Sequence, residues 1–466
     1  MSRAQAMDVA GLLDEGSTVF KIADLFRDEG HELYLVGGPV RDMLLGRPHA
    51  DLDFATDATP PQTRSVIRPI ATNIWLQGEA FGTIGAQIDD VHVEITTFRT
   101  ERYEPESRHP EVEFTADIVT DLSRRDFTIN AMALRLPEKE AVDPFDGVSD
   151  LRARTIKTPI DPHLSFTDDP LRMLRAFRFA SQLGFTIDGD VLATIAELKD
   201  ALRTVSAERV RDELSKLLVG DKPGTALELA ADTGIADIFL PELTSLKLEQ
   251  DPVHKHKDVF HHTLAVIEQT PPELNLRLAA LLHDIGKPKT RQITSEGVSF
   301  HHHEVVGSQM AAGRLRALRF PNDVVHDVSQ IIYLHHRFHT YRLGWSDAAV
   351  RRYVRDAGPL LGDLDRLVRA DCTTRNDRIR ELAAKEELAS IRPDLDGFQV
   401  MAYLGIGGGP AVGEALEHLL ELRLEEGPLG ADRAYDELDA WARSRGIAPA
   451  GRRVEPKAKK SAEGVE

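Results

Sequence analysis

Between Ser17 and Glu29 the apolar residues Val19, Phe20, Ala23, Leu25 and Phe26 recur at helical spacing, and Gly30 ends the run, which predicts a helix. Residues 32–36 read as a short strand and the Gly37-Gly38 pair as a tight turn. Pro39 then takes the first position of a helix closing near Gly46, where its missing N–H costs nothing. Residues 49–56 pattern as a second strand, and Thr59-Pro60-Pro61 opens another short helix. Residues 81–88 and 91–98 alternate as a hairpin turning at Asp89-Asp90. The charged stretch 99–110, with Pro105 and Pro110, has no period and is predicted to be a mobile loop. Residues 143–147 read as a turn and 150–156 as the last strand of this region. From Asp168 onward strand signals give way to helices, among them 168–178, 205–217 and an apolar run at 278–287. The expected class is α+β at the N-terminal end and all-α afterwards.

Charged side chains add chemistry to this pattern. Asp51 and Asp53 stand at i and i+2 of the second predicted strand, so period 2 puts both on one face. The Gly37-Gly38 turn into a helix is a phosphate cradle. Amides of Gly37, Gly38 and the helix N-terminus point at an anion, and Gly38 admits a triphosphate where a Cβ would clash. Two carboxylates beside such a cradle suit Mg²⁺-dependent phosphoryl transfer, because the ion must bridge protein and phosphate oxygens. Glu94, on the second hairpin strand, is either a third carboxylate of that site or a solvent-facing glutamate. Arg172, Arg175 and Arg178 follow at steps of three along one helix face, as either a solvated basic stripe or a face turned to the triphosphate and base.

A chain of 466 residues with 42% hydrophobic residues has material for several ordinary domains. No apolar run approaches a membrane span, and the N-terminal residues, with Asp8, Asp14 and Glu15, lack the plan of a signal peptide. The single cysteine, Cys372, excludes an internal disulfide and a thiolate cluster, which points to a reducing cytoplasm. The net charge of −19 excludes indiscriminate coating by nucleic acid, so any RNA contact must come from local basic patches.

Gly37-Gly38-x-Val40-Arg41-Asp42 with Asp51-x-Asp53 resembles the head of the class II tRNA nucleotidyltransferase and bacterial poly(A) polymerase family, a branch of the polymerase β-like nucleotidyltransferases. Arg124-Arg125-Asp126-x-Thr128-x-Asn130, otherwise a surface charge cluster, is similar to a second motif of that family. The resemblance implies that Arg125 contacts nucleotide phosphate and that Asp126 and Asn130 hold the ribose and the local fold. Asp168-Asp169-x-x-Arg172 resembles a third motif, with Arg175 and Arg178 continuing the match, and Glu208 and Arg209 are expected to buttress it. Taking Asp169 and Arg172 as i and i+3 on one helix face, a carboxylate and a guanidinium would together read the pairing edge that cytosine and adenine share.

Histidines gather after Asp251: His254, His256, His261, His262, His283, His301, His302, His303, His335 and His336. Two adjacent polar groups, His283 and Asp284, end an apolar helix, where burial is costly unless something ligates them. Leu278 to Lys287 thereby resembles the HD family of metal-dependent phosphohydrolases. Carried over by position, the implied ligands are His262, His283, Asp284 and Asp371, with His303 and His335 as candidates for a second metal position. A retained RNA scaffold is the alternative. Residues 404–413, rich in glycine, resemble the family's RNA-holding body or are a linker, and the lysine-bearing tail from Gly451 is expected to be disordered.

Together these imply a polymerase β-like nucleotidyltransferase head at 1–160, a helical neck at 161–245, an HD domain at 246–375, a helical RNA-binding body at 376–450 and a tail at 451–466. The implied activity is template-independent CCA addition to tRNA from CTP and ATP, with Mg²⁺ at Asp51 and Asp53 and a transition metal at the HD motif. Gly38, Arg41, Arg125, Arg175 and Arg178 are expected to position the triphosphate. Neither DNA nor membrane is an expected partner. The alternatives are a poly(A) polymerase, an enzyme adding only CC or A, and an RNA-binding protein whose transferase is dead.

Overall fold

The computed structural model describes residues 13–48, 51–102, 111–114, 117–248, 258–294, 297–337, 347–371 and 393–455. They divide into two units, Met1–Arg277 with Arg314–Phe320, and Leu278–Gly313 with Pro321–Glu466.

In the first unit, helix α1 (Thr18–Asp28) starts where the Ser17 hydroxyl accepts the Phe20 amide, and it buries Val19, Phe20, Ile22, Ala23 and Phe26. Next come β1 (Leu33–Val36), α2 (Gly38–Leu44), β2 (Asp51–Thr56), α3 (Pro60–Ile67), β3 (Asn73–Trp75), β4 (Thr83–Ile88) and β5 (Val91–Thr97). His49, expected to open the second strand, lies outside the described residues. After β6 (Arg99–Arg102), β7 (Glu111–Phe114) and α4 (Ile118–Ser123), strands β8 (Ala133–Leu136) and β9 (Glu140–Val142) complete a seven-stranded sheet ordered β3-β4-β5-β2-β1-β8-β9. Its β2–β5 pair is parallel and the other pairs are antiparallel. Alternation along these strands buries Leu52, Phe54, Ile84, Ala86, Val93 and Ile95 on one face. Helices α1 and α3 pack against the sheet.

Two local expectations are corrected. The beginning of the predicted loop is a strand, since β6 pairs antiparallel with β7 from Arg99–Phe114 to Arg102–Glu111, and residues 103–110 lie outside the described residues. A partner that distant leaves no local period to read. The strand expected over 150–156 is instead α5 (Gly147–Ala153) and a two-residue strand, Thr155–Ile156. The Asp143 carboxylate accepts the Gly147 and Val148 amides and starts that helix.

Strand pairing also persists past Asp168, where Thr186–Ile187 runs parallel to Thr155–Ile156. The neck comprises α6 (Pro162–Asp168), α7 (Leu171–Leu183), α8 (Gly189–Leu198) and α9 (Ala207–Leu218), with α7 packed along α9. The helix expected from Asp168 thus starts three residues later, at Leu171, and a separate helix ends at Asp168. Asp169 is extended (φ −139°, ψ 98°), as a residue before proline prefers, and Pro170 caps α7.

The second unit is mainly helical, with a short hairpin pairing Gln292–Thr294 with Gly297–Ser299. Helices Asn322–His335, Asp347–Ala357 and Leu361–Asp371 are followed by Gly397–Leu404, Pro410–Glu426 and Ala431–Ser444. Val400, Tyr403, Leu419, Leu438 and Trp441 form a core among the last three. Gly405, at φ +69°, ends the first of these in a left-handed cap that a side chain would strain. Residues 456–466 of the expected tail, like His254, His256 and Cys372, lie outside the described residues.

Candidate active site

The sheet register builds the acidic part of the site. Asp53 pairs with Glu94, and Asp51 with His92, across the parallel β2–β5 ladder. Residues paired in a ladder share a face, so Asp51, Asp53 and Glu94 form one carboxylate group, with His92 Nδ1 3.9 Å from Asp51 Oδ1. Asp51 and Glu94 are exposed and Asp53 is half-buried, so the group opens to solvent.

The glycine turn leaves β1 beside this group, because β1 pairs with β2 up to Leu35–Phe54 and ends one residue later. Gly37 sits at φ +72°, and a Cβ there would lie 2.8 Å from an Arg125 guanidinium nitrogen. Glycine is therefore required twice, for its backbone and for the arginine laid over the turn. The Gly37 amide is not turned to an anion as expected: it donates to the Met132 carbonyl at 3.2 Å. Arg125 is steadied by the buried Asp121, at 3.5 Å.

Behind the turn runs a buried charge network. Arg41 donates to Asp42 at 2.8 Å and to Asn130 Oδ1 at 2.7 Å, while Asn130 donates to Asp126 Oδ1 at 2.9 Å. The other Asp126 oxygen receives Arg175 Nε at 2.7 Å. Burial alone would raise the Asp126 carboxyl, but the Arg175 charge and the Asn130 hydrogen bond override it and bring it down to about 2. Arg178 Nε lies 3.0 Å from Glu213 on α9, which also faces Arg175 at 3.7 Å. Burial and the neighbouring Arg175 charge press Arg178 down to about 10. The Arg41, Arg175 and Arg178 guanidiniums lie 5.2, 5.6 and 4.1 Å from the centre of the Phe179 ring, which gathers them by cation–π attraction.

Asp169 and Arg172 do not share a helix face as expected. From its extended position Asp169 accepts the Leu171 amide and pairs with Arg209 at 3.1 Å. Arg172, 7% exposed, donates to the Ser165 hydroxyl at 2.9 Å and to the Arg124 carbonyl at 2.5 Å. Arg209 therefore does hold a motif residue, whereas Glu208 lies out on the surface, 4.0 Å from Arg319.

In the second unit, His283 Nε2 lies 3.1 Å from Asp284 and 3.9 Å from Asp371. Asp284, His303 and His335, all buried, offer ligand atoms within 4.8 Å of one another. His283, His303 and His335 each place Nδ1 on the carbonyl three residues back, at 2.8, 2.9 and 2.6 Å. That bond keeps the proton on Nδ1 and leaves Nε2 as a ligand, the arrangement metal-binding imidazoles use. Burial pushes His335 down to about 3, so it is neutral at working pH. Lys287 reaches Asp284 at 2.6 Å. His262 lies on the helix Val259–Gln269 of the first unit.

Residues 33–157 match the poly A polymerase head domain, 184–247 the probable RNA and SrmB-binding site of polymerase A, and 259–380 the HD domain. An A-adding tRNA nucleotidyltransferase of Deinococcus radiodurans is 35% identical over 88% of this chain and 95% of its own length. A CCA-adding enzyme of Anoxybacillus flavithermus is 31% identical over 90% of this chain and 95% of its own. The chain belongs to the CCA-adding family of tRNA nucleotidyltransferases. A crystal structure of the Bacillus stearothermophilus CCA-adding enzyme in complex with CTP shares the fold of this nucleotidyltransferase with a TM-score of 0.68, at 26% identity over 92% of this chain and 97% of that one.

Several residues of these clusters escape a reading of the sequence. Glu213 follows the named Arg209 by one helical turn, yet only the α7–α9 packing turns it to Arg178. Phe179 looks in sequence like any core aromatic. Asp121 and Lys287 became visible only once their partners were placed. His303 and His335, more than thirty residues apart in sequence, do meet at Asp284. Among the described residues no helix is long and apolar enough to cross a membrane.

Proposed function

We propose that this nucleotidyltransferase adds CCA to tRNA 3′ ends without a nucleic-acid template, from CTP and ATP, in the cytoplasm. One juxtaposition carries the reading: the Asp51, Asp53 and Glu94 carboxylates share a sheet face beside the Gly37 turn, where Arg125 lies. This oxygen-only, solvent-open donor set fits Mg²⁺, which takes one or two carboxylates together with substrate phosphates. Asp51 and Asp53 would hold it, and when bound the ion supplies charge neutralisation at the reacting phosphate. Arg125, Arg175 and Arg178, with Gly38 giving close approach, orient the triphosphate. The Arg41–Asn130–Asp126 chain keeps those arginines in place. The primer 3′-hydroxyl attacks the α-phosphorus in line, and pyrophosphate departs.

Base choice we assign to Asp169 and Arg172. Cytosine and adenine each present an amino donor beside a ring-nitrogen acceptor, which a carboxylate and a guanidinium satisfy. Guanine and uracil reverse that order and leave both charges unpaired. Arg209 fixes Asp169, and Ser165 with the Arg124 carbonyl fixes Arg172. In the HD region, His283, Asp284 and Asp371 would hold a transition metal suited to imidazole and carboxylate ligands, and His303 and His335 are candidates for a second metal position.

Transcripts ending at the discriminator base, after one C and after two, incubated with single and mixed nucleotides, test the reading. Completion of CCA on all three, by C, C and A on the first, C and A on the second and A alone on the third, supports it. Addition of A to the last transcript alone marks a partial enzyme, and untemplated A tails on any RNA mark a poly(A) polymerase. No extension of any transcript refutes it.

A further inference from the structure

The sheet register carries a further residue into the acidic row. Trp75 pairs with Gly85, Gly85 with Glu94, and Glu94 with Asp53, so one transverse row reads Trp75–Gly85–Glu94–Asp53 across β3, β4, β5 and β2. Members of a row share a face, and β3 is the edge of the sheet. The Trp75 ring lies over Gly85, with Cε3 3.5 Å from where a Cβ would stand. It also leans on His92, ring centres 5.4 Å apart at 34°, and His92 in turn borders Asp51. Gly85 thus gives the indole room to lie on the sheet toward the carboxylates, in a row where the Trp75 and Asp53 backbones are three strand spacings, about 14 Å, apart.

The indole nevertheless remains 39% exposed. Of the exposed Trp and Phe side chains among the described residues, Trp75, Phe81 and Phe398, the first two lie in one short segment at this edge, together with exposed Leu76. An acidic chain that must hold an RNA end beside its own carboxylates cannot do so there by charge. A flat aromatic face, to which every base offers a π surface, does so without Coulombic cost.

We propose that Trp75, backed by His92, is the stacking platform for the last base of the RNA primer, holding its 3′-hydroxyl toward Asp53. It is a positioning residue, and the inference rests on the nucleotidyl-transfer reading above. A transcript carrying a fluorescent adenine analogue as its last base tests it on the full chain. Wild-type protein should quench the analogue on binding. Trp75→Ala should leave it bright and raise the KM for the transcript on the order of tenfold or more, since one stacked base contributes about that much. The KM for CTP and the melting temperature should stay unchanged, and Trp75→Phe should restore both quenching and KM. Unchanged quenching and transcript KM in Trp75→Ala, or a rise in the KM for CTP instead, overturns the proposal. Quenching needs no turnover, so a wild-type protein that quenches through Trp75 yet extends nothing would refute the transfer reading and leave the platform standing.

Discussion

Glu213 is 5% exposed and is the carboxylate that Arg178 meets, so changing it asks what holds the arginine cluster together. Glu213→Gln keeps the shape and removes the charge, leaving Arg178 buried against Arg175 with no counter-ion at 3.0 Å. Burial and Arg175 already press Arg178 down to about 10, and the change removes the Glu213 charge that opposes them. Breaking one partner of a buried pair costs about 3–5 kcal/mol, and since glutamine keeps the volume and a polar carbonyl beside the guanidinium we expect about 3 kcal/mol. Denaturant unfolding of the full chain would read it, and nucleotide KM should rise because Arg178 loses its fixed orientation. A cycle with Arg178→Met should be strongly non-additive, the double variant recovering much of the loss. A cost under about 1 kcal/mol for Glu213→Gln, or simple additivity, would refute the assignment, because that is what a solvent-screened pair gives.

Asp53→Ala should abolish nucleotide addition, by at least about a thousandfold given what a lost charge-stabilising group costs, with the helical parts still folded by circular dichroism; near wild-type extension would show the carboxylates misassigned. His283→Ala and Asp284→Ala should remove transition metal detected by elemental analysis, and any phosphohydrolase activity, while CCA addition is largely kept. Metal-free wild-type protein purified without chelator would instead mark a scaffold. Asp126, lowered from 3.8 to about 2 on folding, contributes stability that is full above its unfolded value and fades as pH falls through about 2. The advantage of wild type over Asp126→Asn should therefore be about 2 kcal/mol above about pH 4 and shrink toward zero near about pH 2, read by unfolding at stepped pH.

The parts legible in sequence were those written in local spacing. The glycine pair before Pro39, the i, i+2 carboxylates of β2 and the adjacent His283-Asp284 pair each need only neighbours to be recognised. Pairings between distant segments were not. Nothing around Glu94 distinguishes a solvent-facing glutamate from a third carboxylate until β5 lies parallel to β2. Glu208 is the expected buttress in sequence, but α9 packs on α7 so that Glu213 turns inward instead. The proline after Asp169 starts α7 but also holds the residue before it extended, and so the i, i+3 face fails. The strand at Arg99–Arg102 was hidden by charge, since pairing satisfies backbone groups whatever the side chains are.

Asp53 and Glu94 stand side by side in a ladder, where like charges oppose pairing. Water screens them, so the repulsion is on the order of 1 kcal/mol at contact, and the sheet tolerates it. The sheet would nonetheless be sounder with amides there. Selection for heat resistance alone, applied to random variants of this chain, would therefore favour neutral substitutions in the row that the chemistry needs, and a thermostabilised lineage would drift toward a well-folded protein that no longer extends RNA.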